Sequence, residues 1–234
     1  EVSDEAISSS VWGLLRRKKH PPRNDITESV AQALDLCLAC KGCKAECPSG
    51  VDMAKLKYEF ENQYYKTHRR PLRDYVFGYF DVAAKFASSV APLSNAMTQL
   101  PLFKNPLAKV LEITPQRPFP KFTNRRAKPF HQPLSTQRAQ KIIFISDPFS
   151  RYIEPQVEQA AFDVLSACGY DVQVVPVLGA GASLLSKGLL EAAKRHAGKM
   201  LDALNQLDPQ CEAAIVGIEP PGMYTLKHDY QDLL

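Results

Sequence analysis

The sequence lacks any apolar run that approaches the roughly 20 residues needed to span a bilayer, so no transmembrane segment is predicted. It also lacks a secretory signal. Its amino terminus, EVSDEAISSSVWGLLRRKKH, is acidic first and basic later, the reverse of a signal peptide. We therefore expect a cytoplasmic protein. An initiator methionine is missing as well, since the chain begins at Glu1, and we expect that an earlier part of a longer polypeptide has been removed.

Basic residues outnumber acidic ones only slightly, 29 against 25, but they cluster. Residues 16–19 form one basic run, and residues 104–141 hold nine Lys or Arg against a single acid, Glu112. Such stretches can bind nucleic acid or a membrane surface. No aromatic-interleaved repeat or helix-turn-helix pattern accompanies them, so no nucleic-acid partner is predicted. We expect a solvated surface or a face for an acidic partner domain.

Three regions differ in composition. Residues 1–100 place apolar side chains at helical spacing and predict a helical domain. Residues 101–140 contain seven prolines and predict an extended basic connector without a regular helix. Residues 141–234 alternate short apolar strands with helical segments, which indicates βαβ units and a parallel sheet. The predicted fold class is α+β and multidomain, with a final α/β domain that stops after three strands and is expected to be incomplete.

Four of the six cysteines lie within eleven residues, at positions Cys37, Cys40, Cys43 and Cys47, with Pro48 directly after them. The spacing C-x2-C-x2-C-x3-C-P is typical of iron–sulfur proteins. Thiolates three residues apart on a turning backbone can reach different corners of a [4Fe–4S] cluster. We therefore predict all four cysteines as ligands of the metal cluster.

Other uses of these thiols stay open. Four-thiolate zinc sites usually take two C-x2-C pairs a dozen or more residues apart, a separation that is absent here, and disulfides do not suit a cytoplasmic protein. In two-cluster ferredoxins the fourth cysteine of such a run ligates the other cluster, so Cys47 either completes the local set or belongs to a second cluster. The chain has no second run. Cys168 and Cys211 stand alone and are expected to be small buried or partly buried side chains.

A family resemblance rests on the stretches ALDLCLACKGCKAECPSGVDMAKLKYEF, QYYKTHRRPLRDYVFG, DPFSRYIEPQ, VLGAGASLLSKGLLEAAKRHA and VGIEPPGMYTLKHDY. The sequence resembles the C-terminal iron–sulfur region of FAD-linked oxidases related to D-lactate and D-2-hydroxyglutarate dehydrogenases, and glycolate oxidase iron–sulfur subunits. The resemblance implies a helical ferredoxin-like domain followed by a small α/β domain. It also implies a flavin domain carrying FAD and a second cysteine run, both outside this chain, upstream or on a partner subunit.

The chain departs from that family in its α/β half. Gly179-Ala180-Gly181 stands where many relatives have Cys-Cys-Gly, and Pro220-Pro221-Gly222 stands where they have Pro-Ser-Cys or a similar cysteine. The resemblance therefore implies no redox ligands in this half. The loop VLGAGAS has no third glycine for a dinucleotide fingerprint, since Leu184 takes that place, and is expected to be a tight strand-to-helix turn.

The main functional hypothesis is an iron–sulfur electron-transfer module of an FAD-linked 2-hydroxy-acid dehydrogenase, without the catalytic flavin site. It would relay electrons from the flavin domain to an unknown acceptor. The alternatives are a structural iron–sulfur or zinc interaction domain, and a separate iron–sulfur subunit of another oxidoreductase complex.

Overall fold

The computed structural model describes residues 24–125 and 140–234. The basic run at 16–19 and the part of the predicted connector beyond residue 125 lie outside the described residues. Among the described residues, no helix combines the length and the apolar character needed to cross a bilayer.

Helices precede the first strand throughout the described part. They are α1 (Asn24–Asp35), α2 (Gly42–Glu46), α3 (Met53–Tyr64), α4 (Leu72–Gly78), α5 (Phe80–Ser89), α6 (Ala91–Gln99) and α7 (Pro101–Val110). Helix α3 begins where it does because the Asp52 carboxylate accepts the backbone N–H of Lys55 at 3.1 Å, as an N-cap residue should. The helical character predicted for the first region is confirmed over these residues.

Helix α7 corrects the expectation that residues 101–140 contain no regular helix. Pro101 lies in its first turn, where a backbone N–H would have no partner within the helix. Pro106 lies inside the helix and removes the hydrogen bond that this residue would donate to the carbonyl of Leu102. Because Leu102 is 76% exposed, water can replace that bond. From residue 112 to residue 125 the chain forms neither helix nor strand, in agreement with the prediction.

The second half is an α/β unit with three parallel strands. Its elements are β1 (Gln140–Ile145), α8 (Pro148–Tyr152), α9 (Pro155–Ala167), β2 (Tyr170–Val174), α10 (Ala182–Ser186), α11 (Leu190–Leu207), β3 (Ala214–Gly217), α12 (Pro220–Tyr224), a π-helical turn (Thr225–Asp229) and α13 (Tyr230–Leu233). The strand order is β2-β1-β3, with Ile142 paired to Val172 on one side and to Ala214 on the other. The predicted α+β class and small parallel sheet are confirmed.

The central strand β1 has a core on each face. Successive side chains of a strand point to opposite faces. Ile143 and Ile145 therefore pack towards α11, where Ala197 and Met200 are fully buried. Ile142 and Phe144 pack on the other face against Phe162 of α9 and Val172 of β2. The helices that cover both faces keep the parallel sheet away from water.

A third buried cluster joins the helical region to the α/β unit. It contains Ala54 and Tyr58 from α3, Leu184 and Leu185 from α10, and Ala192 and Ala193 from α11. Polar contacts reinforce this junction: the Ser183 hydroxyl donates to the Gly78 carbonyl at 2.9 Å, and the Arg70 guanidinium donates to the carbonyls of Lys187 and Gly188. The helical region and the sheet thus share one continuous packing.

Gly188 makes the close approach at this junction possible. Its φ is +59°, and an added Cβ would lie 2.6 Å from Cβ of Glu61 and 3.1 Å from the Tyr58 carbonyl oxygen. We predict that Gly188→Ala lowers the free energy of unfolding by at least about 2 kcal/mol, because it adds backbone strain and overpacking together. Urea denaturation of the purified chain measures the change.

The matched control is Gly198→Ala in the middle of α11. That position has open space around it and no positive φ. Alanine there should raise the free energy of unfolding by roughly 0.5–1 kcal/mol, since glycine is a poor residue inside a helix. Equal effects at the two positions would contradict the close packing of α3 on the 188 turn.

Candidate functional site

The predicted cysteine ligands lie on the segment that links α1 to α3. Cys43 belongs to the short helix α2, and Cys40 lies between Ala39, with φ +55°, and Lys41, with φ +59°. Two non-glycine residues in the left-handed region so close together are unusual, and such outliers cluster at functional sites. The backbone therefore turns sharply on both sides of Cys40.

All four thiols are free, and they differ in environment. Cys40 and Cys43 are exposed, whereas Cys37 and Cys47 are half-buried. The Cys37 sulfur accepts the backbone N–H of Ala39 at 3.4 Å. The backbone N–H groups of Val51, then Ser49, hold the pKa of the Cys47 thiol below its usual range. Both half-buried sulfurs thus face backbone donors, which stabilise thiolates and the sulfur ligands of clusters.

The four thiols are not gathered into one site. Within residues 24–125 and 140–234, no group of three or more His, Cys, Asp or Glu side chains is arranged to hold a metal ion. The donor set therefore suits a thiolate-bound group in its chemistry, through free thiols and backbone donors on one turning loop. The side-chain arrangement is not that of a closed metal centre.

A buried lysine anchors the start of the cysteine loop. Lys57, on α3, is 6% exposed and donates from Nζ to the Cys37 carbonyl at 2.7 Å. Its ammonium group also lies 3.6 Å from the Glu61 carboxylate, one helical turn further along. Burial raises the pKa of Glu61, which Lys57 opposes, and Oε2 of Glu61 is buried without a hydrogen-bond partner among the described residues.

We predict that Lys57→Met destabilises the folded chain by about 3 kcal/mol, because it leaves the Glu61 carboxylate buried without its ion pair and the Cys37 carbonyl without its donor. Lys55→Met is the matched control on the same helix. Lys55 pairs with Asp232 at the surface, where ion pairs contribute little. Urea denaturation should show a large loss for the first variant and a small one for the second. Similar losses would contradict the anchoring role of Lys57.

A second lysine ties the loop to the end of the chain. Lys41 forms an ion pair with Asp229 of the π-helical turn at 2.5 Å, and the two side chains are only 13% and 6% exposed. The same ammonium group lies 4.4 Å from the centroid of the Tyr224 ring, a cation–π distance. Thr225 also donates to the Asp229 carboxylate, at 3.2 Å. The turn at Cys40 is therefore held by contacts with residues almost two hundred positions away.

A pocket of about 930 Å³ lies between the cysteine loop and the α/β unit. Cys40 is among the residues that line it, together with Lys41, Tyr58, Tyr224 and Glu219. Glu219 follows β3, and its Oε2 accepts the backbone N–H of Gly222 at 2.7 Å. Burial raises the pKa of Glu219; the Gly222 hydrogen bond opposes this rise, and the charge of Asp147 adds to it.

The raised pKa of Glu219 predicts a pH effect. The Glu219 carboxyl binds a proton more tightly in the folded chain than in the unfolded one, so the stability it contributes falls as the pH rises from its usual pKa of 4.5 through the folded value. Glu219→Gln keeps an oxygen for the Gly222 N–H and removes the charge. The variant should therefore gain stability relative to the parent between pH 4 and pH 7, as measured by urea denaturation at both pH values.

Glu59→Gln, at an exposed position on α3, controls for the loss of one carboxylate. Its difference from the parent should stay small at both pH values. If Glu219→Gln shows no gain, or loses stability as the pH rises, the burial assigned to this carboxylate is wrong.

The glycine loop before α10 is a tight strand-to-helix turn, as predicted. Gly179 and Gly181 have φ of +64° and +79°, and a Cβ on Gly181 would lie 3.2 Å from the His196 ring. A His196 ring nitrogen is 2.9 Å from the Gly179 carbonyl oxygen. The turn is thus packed against α11 and leaves no room for side chains at Gly181.

Sequence reasoning found the cysteines but not the side chains that hold their loop. Lys57 could have been noticed, because it shares a helical face with the buried Ala54 and Tyr58. No local pattern points to the pair of Lys41 and Asp229. The expectation that Cys168 and Cys211 are at least partly buried is wrong: both are exposed, Cys168 at the end of α9 and Cys211 in the turn before β3.

Comparisons with known proteins place this chain next to one named group. It is 26% identical over 227 residues to the D-2-hydroxyglutarate dehydrogenase of Pantoea ananatis and 24% identical over 221 residues to that of Haemophilus influenzae, each alignment covering 90% of the chain. The protein of the same name from Pseudomonas putida is 26% identical over 226 residues. No family model and no solved structure gave a match.

These similarities confirm the resemblance to FAD-linked 2-hydroxy-acid dehydrogenases, and they identify the chain as a relative of oxidoreductases. The chain spans only about a fifth of the length of the relatives, 22% in Pantoea ananatis and 21% in Haemophilus influenzae. Most of each relative therefore has no counterpart in the sequence described here.

Proposed function

We propose that this chain is the iron–sulfur electron-transfer module of an FAD-linked 2-hydroxy-acid dehydrogenase. The observation that carries the proposal is the run Cys37, Cys40, Cys43 and Cys47, followed by Pro48, in a chain related to proteins named D-2-hydroxyglutarate dehydrogenase. The flavin domain with its FAD, and a second cysteine run, belong to the same proposal as parts that lie outside this chain.

A [4Fe–4S] cluster carries one electron at a time, and the four cysteines are the residues that would hold it. Cys37 and Cys47 already face backbone N–H groups, which favour the thiolate form of each sulfur. Cys40 and Cys43 are exposed and therefore open to a cluster or to a partner segment. Cys47 either completes the local set or serves a second cluster, as the order of ligands in two-cluster ferredoxins suggests.

The residues around the loop hold it in place and set its charge. Lys57 fixes the carbonyl of Cys37 and Lys41 fixes the turn at Cys40, so the ends of the ligand segment are tied to α3 and to the π-helical turn. Lys44 lies in the same loop, with its Nζ 3.7 Å from the Asp52 carboxylate. Ammonium groups close to the cysteines favour thiolate ligands and offset the negative charge that a reduced cluster carries.

The test is anaerobic reconstitution of the purified chain with ferrous iron and sulfide. We expect about four iron and four acid-labile sulfide per chain, visible absorption, and a reversible one-electron potential in a redox titration. Cys40→Ser should lower the bound iron by more than half. Cys168→Ser is the matched control, because it removes an exposed thiol outside the run, and it should leave the iron content unchanged.

Two results would overturn the proposal. Stoichiometric zinc with no reversible potential would support the alternative of a structural zinc domain. A chain that retains neither iron nor sulfide after reconstitution, while its urea unfolding shows it to be folded, would rule out a cluster held by these cysteines.

A further inference from the structure

The pocket beside Cys40 lies where parallel sheets characteristically bind ligands. In the order β2-β1-β3 the chain leaves β1 towards β2 on one side, whereas β3 pairs with β1 on the other side. The crevice outside the carboxyl ends of β1 and β3 is therefore a topological switch point, the usual ligand site of such sheets. Phe149 follows β1, and Pro220 and Pro221 follow β3; all three line the pocket.

The cysteine loop forms the opposite wall of this pocket. Leu38, Cys40 and Lys41 line it together with Tyr58, so a bound molecule would touch the loop as well as the sheet edge. The volume of about 930 Å³ lies within the range of small-molecule sites, about 300–1,000 Å³. The switch point is thus closed into a pocket by the ligand segment of the proposed cluster.

The pocket walls are mainly apolar and aromatic. Rings of Tyr58, Tyr224 and Phe149 surround the space, and proline and alanine side chains supply much of the remaining wall. The Phe149 ring is stacked on Phe80 with centroids 5.0 Å apart, so that its position is supported from behind. Flat rings pack well on such walls, in offset or edge-to-face contact.

The charges in the pocket balance one another. Lys41 is paired with Asp229, and Lys44 lies beside Asp52. An ammonium group has three N–H donors, and the hydrogen bond to Asp229 is the one described for Lys41, so donors are left that a ligand oxygen could accept. A phosphate group would need unpaired positive charge. An uncharged oxygen acceptor needs only the donors.

We propose that this pocket binds a planar, uncharged ring bearing carbonyl oxygens, of the quinone class, with Lys41 donating to a carbonyl and Tyr224 and Phe149 packing on the ring. Its role as the electron acceptor rests on the proposed function; its binding does not. As acceptor, the quinone would take two electrons, one at a time, from the reduced protein and two protons from water, giving the quinol.

The experiment uses the purified chain and ubiquinone-1, whose fully substituted ring resists addition of the free thiols. Isothermal titration calorimetry should show saturable binding of about one molecule per chain. Tyr224→Leu and Phe149→Leu should each weaken binding about tenfold or more, as expected for the loss of a ring contact. Phe149 is 53% exposed, so its replacement does not endanger the fold.

Tyr170→Leu is the matched control, because Tyr170 lies at the amino end of β2, away from the carboxyl edge. It should change the affinity less than twofold. Absence of ubiquinone-1 binding, equal effects of Tyr170→Leu and Tyr224→Leu, or saturable binding of ATP in place of ubiquinone-1 would each overturn the inference.

The outcomes separate this inference from the proposed function. Ubiquinone-1 binding is measured on the chain without iron, so it can succeed where cluster reconstitution fails. A chain that assembles a redox-active cluster and does not bind ubiquinone-1 would leave the proposed function standing and remove the pocket assignment.

Discussion

The packing of α3 against α10 and α11 is the contact on which the candidate site depends. Ala54 and Tyr58 bury one face of α3 against Leu184 and Ala193, and Gly188 permits the backbones to come this close. Helix α3 follows the cysteine loop directly, and α10 follows β2. This contact therefore brings the loop to the carboxyl edge of the sheet, within reach of α12 and the π-helical turn.

Buried charges then define the position of the loop. Lys57 lies between the Cys37 carbonyl and Glu61, and Lys41 lies between Asp229 and the Tyr224 ring. Removing charges from water costs free energy that pairing offsets only in part, and Glu61 keeps one carboxylate oxygen without a hydrogen bond. We infer that these pairs specify where the loop lies more than they stabilise the fold.

The α/β half keeps the architecture of a ligand-binding sheet although it lacks the cysteines that many relatives carry. Gly181 is packed against His196, and the residues after β3 form α12 with Glu219 as its N-cap. Both loops remain ordered parts of the carboxyl edge. The cysteine loop covers this edge, so the proposed cluster and the proposed acceptor pocket share a wall, which is a short path for an electron.

The local sequence determined much of this protein. The alternation of strands and helices, the N-cap of α3 and the cysteine spacing are local patterns, and each was readable because its interactions lie within a few residues. Proline content alone misled for α7, where Pro101 occupies a position that needs no N–H donor. The pair of Lys41 and Asp229, the close approach at Gly188 and the pocket at the switch point were decided by the tertiary structure. They join residues far apart in the chain, and only packing of the complete core brings such residues together.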